Sequence, residues 1–337
     1  MDHVIISESD LAPLCSGDDL ASKAQGLLLQ QKGSWELLRD GYLSLETVET
    51  RIFEFDGFTI RVQFNPGRLT SSSAKVDEKS IRERTCFLCP NNFPLEQRGI
   101  LYKDEYLTLC NPFPIFPEHF TISHKEHRPQ QILSSFEALL SLSKEMRKHY
   151  AVFYNGPRCG ASAPDHMHFQ AGDKFFMPLD SEYDSVKENL GERLVDGELL
   201  RAYSVERYLR RFVSLESSDR RSLVRAFEFL YGSFQGVVKD GEEPMMNILS
   251  FYDHDEWRIV LFPRAKHRPS FFYEEGEGRI LLSPAAVDLG GVCITPLQRD
   301  FERITKENIV EMFSEVSLSA EAFGYLKRRL GKELADL

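Results

Sequence analysis

The stretch YNGPRCGASAPDHMHFQAGD, residues 154–173, sets His166, His168 and Gln170 at alternate positions behind a run of small residues. On a β-strand alternate side chains share a face. Two imidazoles and one amide would then project together, while Met167 and Phe169 turn into the core. An imidazole acts as a nucleophile when its tautomer is fixed, its ring is held, and a donor meets the charge that develops on the group it attacks. Gly160, Ala161 and Ser162 can offer backbone N–H groups to a phosphate, because small side chains admit a close approach. These parts suit phosphoryl or nucleotidyl transfer through a covalent phosphohistidine-type intermediate. A bare His-x-His on a strand also reads as a structural pair or as two metal ligands without catalysis. The glycine-rich approach and Gln170 favour the transfer chemistry.

Several elements must hold these residues in place. The pattern predicts a helix over 18–42, a strand over 58–66 ending in the turn Asn65-Pro66-Gly67, and a mobile polar loop over 69–85. Strands follow around 106–110 and 119–123, then a helix over 132–150 and strands over 151–154 and 165–172. A polar stretch, 180–205, leads to a helix over 218–239, a hairpin of strands 245–253 and 256–264, and a mostly helical tail over 305–335. Strands and helices mix without regular βαβ alternation, which indicates an α+β fold with an antiparallel sheet and flanking helices. HFTISHKEHRPQQ (119–131) and WRIVLFPRAKHRPSFF (257–272) each run from a strand into a basic cluster and His-Arg-Pro, an echo compatible with two related halves. The expected division is 1–205, with an N-terminal helical extension, and 206–337, packed as one compact unit.

Composition narrows the function. The 337 residues carry 41 Lys and Arg against 52 Asp and Glu, a net charge of −11. That balance argues against a grip on nucleic-acid backbones, which needs a basic face, and leaves room for a small phosphorylated ligand. The N-terminus has no basic region followed by an apolar run, and no segment approaches the ~18 apolar residues of a membrane helix, so no membrane association is expected. Six cysteines in so long a chain do not form a disulfide framework, which points to a reducing cytoplasm.

The His-x-His-x-Gln block resembles the signature of the transferase branch of the histidine-triad superfamily. That branch holds galactose-1-phosphate uridylyltransferases, diadenosine-tetraphosphate phosphorylases and GDP-hexose phosphorylases. PEHFTISHKEHRPQ resembles the strand before the signature, and CNPFPIF its asparagine-containing nucleotide contact. The widest resemblance is to GDP-L-galactose/GDP-D-glucose phosphorylases, through WELLRDGYLSLETVETRIFEF, VQFNPGRLTSS, YNGPRCGASAPDHMHFQA and NILSFYDHDEWRIVLFPR. It implies a duplicated histidine-triad-like unit with His168 as nucleophile on the α-phosphorus and Gln170 as donor to a non-bridging oxygen. It implies a nucleotide-sugar or dinucleotide substrate, and an acceptor that is phosphate or a hexose-1-phosphate. Asn111 and Asn155 match positions that contact the nucleoside and hold the site loop, and Asn65 with Arg68 matches the Asn-x-Gly-Arg of the GDP-hexose phosphorylases. One departure concerns Ser162: four residues, Ser-Ala-Pro-Asp, separate Ala161 from His166, where relatives usually have three.

Cys86-x2-Cys89 is half of a tetrahedral zinc site. His127, with His124 and His119 behind it, is the candidate third ligand and His166 the fourth. The set resembles the structural zinc site of bacterial galactose-1-phosphate uridylyltransferases; the alternative is a pair of reduced, buried thiols. Cys15, Cys110, Cys159 and Cys293 read as ordinary thiols. Arg264, Lys266 and His267 follow a strand as a basic cluster that would meet a sugar or acceptor phosphate, or solvent. A homodimer is compatible with the family, and an idle nucleotide- or zinc-binding protein is the non-enzyme alternative.

Overall fold

In the computed structural model, which describes residues 3–72, 76–234 and 242–334, period-two burial builds one long sheet and one short one. The strands are β1 (Glu49–Phe55), β2 (Phe58–Phe64), β3 (Gly99–Tyr102), β4 (Tyr106–Cys110), β5 (His119–His124), β6 (Tyr150–Asn155), β7 (His168–Asp173), β8 (Gly191–Asp196), β9 (Arg201–Val205), β10 (Phe212–Ser217), β11 (Met246–Asp253), β12 (Glu256–Pro263) and β13 (Val292–Thr295). Ten of them form an antiparallel sheet in the order β3-β4-β5-β7-β6-β11-β12-β10-β9-β8, and β1-β2-β13 form the second sheet.

That order contains a duplication. From either outer edge inward, five consecutive strands run first, second, third, fifth, fourth, and the two fourth strands, β6 and β11, pair at the centre. In each unit a helix connects the third strand to the fourth, Phe136–Glu145 in one and Arg220–Gly232 in the other. These helices meet where the Phe136 and Phe227 rings stack with centroids 3.8 Å apart. The sequence echo does not mark this repeat: it links β5, third in its unit, to β12, fifth in its unit. The expected division at 205/206 falls after β9, inside the second five-strand unit.

Alternation sends Tyr150, Val152, Tyr154, Phe169 and Ala171 to one face, where helices Leu20–Ser34, Phe136–Glu145, Arg220–Gly232 and Ala320–Leu334 cover them. Ala151 and Phe153 face the other way, toward the β1-β2-β13 sheet and helices Pro178–Leu190 and Lys306–Val316. Among the described residues no helix is long and apolar enough to cross a membrane.

Several expected elements differ. The helix over 18–42 breaks at Trp35, whose extended backbone (φ −124°, ψ 105°) ends Leu20–Ser34 and starts Glu36–Leu43. The loop over 69–85 contains the helical turns Leu69–Ser72 and Glu78–Glu83, the latter capped by Asp77 on the Ser80 N–H; its residues 73–75 lie outside the described residues. The polar stretch 180–205 holds most of helix Pro178–Leu190, then β8 and β9. The helix over 218–239 ends at Gly232, with 235–239 outside the described residues. The tail divides into Lys306–Val316 and Ala320–Leu334, with 335 outside them.

Glu243 joins the two units just before β11. It is buried and accepts from the Ile132 N–H at 2.6 Å and from the Tyr154 hydroxyl. Burial lifts its carboxyl from 4.5 to about 7, against those two donors. A folded-state value above the unfolded one stabilises fully below pH 4.5 and is lost as pH rises through 7. Urea melts should therefore lose about 3 kcal/mol between those limits from this group, and Glu243→Gln should remove that part of the slope. An unchanged slope in the variant would assign the dependence elsewhere.

Candidate active site

The site grows from β7 and the two strands beside it. Phe169 and Ala171 enter the helix-covered core, so His168 and Gln170 share the opposite face. Gln170 stands between Thr121 of β5 and Phe153 of β6, and His168 stands opposite Ser123. The β6–β7 pairing stops at Phe153–Gln170, two residues short of His168. The buried Gln130 amide fills the opening. Its Oε1 accepts from the His168 N–H at 2.8 Å, and its Nε2 donates to the carbonyls of His168 at 3.0 Å and Asn155 at 2.9 Å. A side-chain amide thus replaces strand backbone where the ladder has opened.

His166 does not join His168 and Gln170 on that face. The strand begins at His168, and His166 lies in the preceding turn with its ring pointing elsewhere. Its Nε2 meets the His124 carbonyl at 2.7 Å, while its Nδ1 lies 3.4 Å from Cys86 Sγ and 3.6 Å from Cys89 Sγ. His127 Nδ1 is 3.2 Å from Cys89 Sγ. The donor atoms of Cys86, Cys89, His127 and His166 all lie within 4.8 Å of one another, so the group could hold a metal ion. A carbonyl only accepts, so His124 leaves the proton on His166 Nε2 and the Nδ1 lone pair toward the thiols. His124 and His119 stay outside the cluster. Asp165 pairs with Arg84, and its carboxylate lies 4.0 Å from His127 Nε2.

Two more carbonyl and amide contacts fix the tautomers of the site. His168 Nδ1 lies 2.8 Å from the His166 carbonyl and must donate to it, which leaves the Nε2 lone pair free. Burial pushes His168 down to about 4, so the ring is neutral at pH 7. His119 is arranged oppositely. Its Nδ1 accepts from the Ile115 N–H at 3.2 Å, so its Nε2 carries the proton and donates to Gln170 Oε1 at 2.8 Å. Burial pushes His119 to about 3. The bond commits the Gln170 oxygen to His119 and leaves its NH₂ as the donor beside His168. Sequence reasoning considered His119 only as a spare metal ligand; its alternation with Thr121 on β5 was the available signal.

His168 and Gln170 line a cavity of about 700 Å³ between the long sheet and the β1-β2-β13 layer. Asn111, Gly160, Ala161 and Ser162 line it too. Gly160 holds φ +94°, and a Cβ there would come 2.5 Å from the Ala285 Cβ, so only glycine fits. Asn111 is braced by Thr121 Oγ1 at 3.2 Å and the Phe113 N–H at 2.9 Å. Arg68 lines the cavity and donates to the Phe113 carbonyl at 2.6 Å, with its Nε unpaired; burial lowers it to about 10, still charged at pH 7. Asn65 lies outside the lining, buried with Nδ2 on the Pro114 carbonyl at 3.1 Å.

The basic cluster is divided. All five N–H groups of the buried Arg264 guanidinium are engaged, with Val316 O, Asn247 Oδ1, Pro284 O, Lys266 O and His267 O. Lys266 pairs with Glu315 at 2.9 Å on the surface. Neither reaches the cavity, contrary to the expectation from sequence; His267 and Arg268 do. Arg264 instead supports Asn247, which donates to Asn155 Oδ1 and the Cys159 carbonyl, each at 2.7 Å. Asn155 Oδ1 also accepts from the Ala286 N–H at 2.8 Å. Asn155 thus holds the 156–162 loop to the second unit.

Comparison with known proteins agrees with this architecture. Residues 27–173 match a family model described as a domain of unknown function (DUF4922), and residues 198–337 match the GDPGP1-like, C-terminal domain model. Protein APA1 of Saccharomyces cerevisiae is 33% identical over 73 residues, 19% of this chain and 23% of that protein. The matched segment thus spans less than a quarter of that curated relative. The yeast Ap4A phosphorylase Apa2 superposes with a TM-score of 0.53 at 16% identity, covering 85% of this chain and 95% of that one. Its complex with Ap4A superposes at 0.52 and 16% identity, covering 86% and 97%. The C-terminal match places residues 198–337 with the GDPGP1-like, C-terminal domain family, the likeness to Apa2 shows a shared fold, and both accord with the resemblance carried by the His-x-His-x-Gln strand.

Proposed function

We propose that this protein is a nucleotidyltransferase that splits a nucleoside diphosphate hexose with inorganic phosphate, the GDP-hexose phosphorylase reaction, through a nucleotidyl group carried on His168. The observation that carries the reading is the neutral His168, locked with its Nε2 lone pair free, beside a Gln170 amide turned to donate. Nε2 attacks the α-phosphorus, the N–P bond forms, and the bond to the bridging oxygen breaks, releasing hexose-1-phosphate. A phosphate oxygen then attacks the same phosphorus, the N–P bond breaks, and NDP leaves. The Gln170 NH₂ meets charge growing on a non-bridging oxygen, and Arg68 supplies a fixed positive charge at the cavity wall. The cavity draws its lining from both units: Trp35 and Leu109 from the first and its N-terminal extension, and His267, Arg268 and Ser283 from the second.

The Cys86, Cys89, His127 and His166 donors fit zinc: two thiols and two imidazoles, the His166 tautomer fixed by the His124 carbonyl, a closed set of four with no position left for substrate. Zinc there would be structural, neutralising the thiolates and fixing the His166 turn, whose carbonyl orients His168. A reducing, cytoplasmic setting is part of this proposal and rests on six cysteines in a 337-residue chain without the spacing of a disulfide framework.

A second reading, phosphorolysis of a dinucleoside tetraphosphate, is favoured by the likeness to yeast Apa2 and APA1. One experiment separates the two. Protein mixed with GDP-glucose, UDP-glucose or Ap4A, without phosphate, should gain the mass of one nucleoside monophosphate unit, with GDP-glucose the expected donor. Phosphate should discharge it. The adduct should be absent in His168→Asn, and full turnover by that variant would sink the mechanism. Gln170→Ala should retain adduct chemistry at a rate lower by roughly 10²–10³.

Two further outcomes follow from the same geometry. A long-range proton–nitrogen spectrum at neutral pH should show opposite tautomers, His168 protonated on Nδ1 and His119 on Nε2; the same tautomer at both would contradict the locked pair. Purified protein should hold one zinc, and its cobalt-substituted form should show tetrahedral thiolate bands that Cys89→Ser abolishes.

A further inference from the structure

The end of the cavity farthest from the second unit is built by residues to which the catalytic strand contributes nothing. Gln97 lies just before β3, is only 8% exposed, and lines the cavity. Its side-chain amide is named in none of the hydrogen bonds among the described residues, and its atoms are not among the sealed, partnerless ones, so the amide is open to the cavity and available to a ligand. The segment around it is clamped. Gln31, fully buried in helix Leu20–Ser34, donates Nε2 to the Glu96 carbonyl at 3.1 Å and accepts the Arg98 N–H at 2.8 Å. These bonds bracket Gln97 on both sides and fix its backbone. The same helix ends at Trp35, whose N–H donates to the Gln31 carbonyl at 2.9 Å; this residue packs in the helix-covered core, is 5% exposed, and borders the same cavity.

Distance places this end relative to His168. β4, which brings Leu109 to the cavity, lies two strands from β7, about 10 Å at the usual strand spacing. A nucleoside monophosphate held by its phosphorus at His168 and laid across β5 and β4 reaches that end with its base. The indole offers a stacking surface to any base, whereas an amide offers one donor beside one acceptor.

We propose that Gln97 is the residue that selects the nucleobase, pairing its amide with a base edge that presents a complementary donor and acceptor while Trp35 packs against the base. Guanine, through O6 and N1–H, is the base implied by the phosphorylase reading, on which this assignment rests. Stacking on Trp35 supplies affinity without choice; Gln97 supplies the choice. Gln31 acts through Gln97 as a positioning residue.

Binding of the free monophosphates tests this without any covalent chemistry. GMP, AMP, UMP and CMP are titrated by calorimetry into wild type, Gln97→Met and Trp35→Leu. Wild type should prefer one base. Gln97→Met should weaken that one roughly 10- to 100-fold, the worth of a two-pronged base contact, and leave the others within about threefold, so that the preference collapses. Trp35→Leu should weaken all four together. A fluorescence titration adds a second readout: the only other tryptophan, Trp257, is buried with its indole N–H on the Leu140 carbonyl at 2.9 Å, so in Trp257→Phe the signal belongs to Trp35 and the preferred nucleotide should quench it. A wild-type order of preference in Gln97→Met, or an equal loss for every base, would overturn the assignment. Failure to form any covalent adduct would instead count against the nucleotidyl mechanism and leave these binding results to stand alone.

Discussion

The His166 carbonyl is the contact on which the rest depends. Through its backbone oxygen this residue holds the His168 proton on Nδ1, and through its ring it completes the cluster of Cys86, Cys89 and His127. One residue therefore faces both the His168 ring and the thiols, and neither contact can shift without the other. The opposite arrangement at His119 gives the complementary polarity: one buried imidazole presents a lone pair, the other spends its proton on orienting Gln170. Burial keeps both rings neutral, so the polarity of the site is set by tautomers and amide orientation.

The duplication distributes labour unequally. In the first unit the fifth strand presents His168 and Gln170 to the cavity; in the second, β12 presents Val260 and Phe262 to the apolar layer on the same side of the sheet. The second unit contributes support instead. Arg264 spends its whole guanidinium on Asn247 and four carbonyls, and Asn247 passes that order to Asn155 and Cys159 across the central β6–β11 pair. Removing Arg264 would leave several buried acceptors without donors, which is why its position after a strand reads misleadingly as a phosphate contact.

Much of this was legible in the sequence where periodicity was strong. The alternation of His168 and Gln170 named the face that lines the cavity, and the Cys-x2-Cys spacing with His127 and His166 named the four converging donors. His166 itself misled, because alternate spacing implies a shared face only while the strand lasts, and the strand starts two residues later. β8 and β9 were hidden by a polar composition that an outer strand tolerates, and the duplication was implied by the family resemblance, while the short echo joins strands that are not equivalent. Gln130, Gln31 and Asn247 carried no local signal at all. A buried amide acquires its role from groups distant in sequence, and a single sequence does not display those pairings.

The opened ladder beside His168 has a mechanical consequence. Backbone pairing along β7 is a stiff lattice of peptide groups, but the link from β6 to His168 passes through the Gln130 side chain, which has torsions a peptide lacks. On its β6 side the compliance of the His168 mount is therefore set by how tightly the core packs around one glutamine, while on the other side β5 still pairs with it directly.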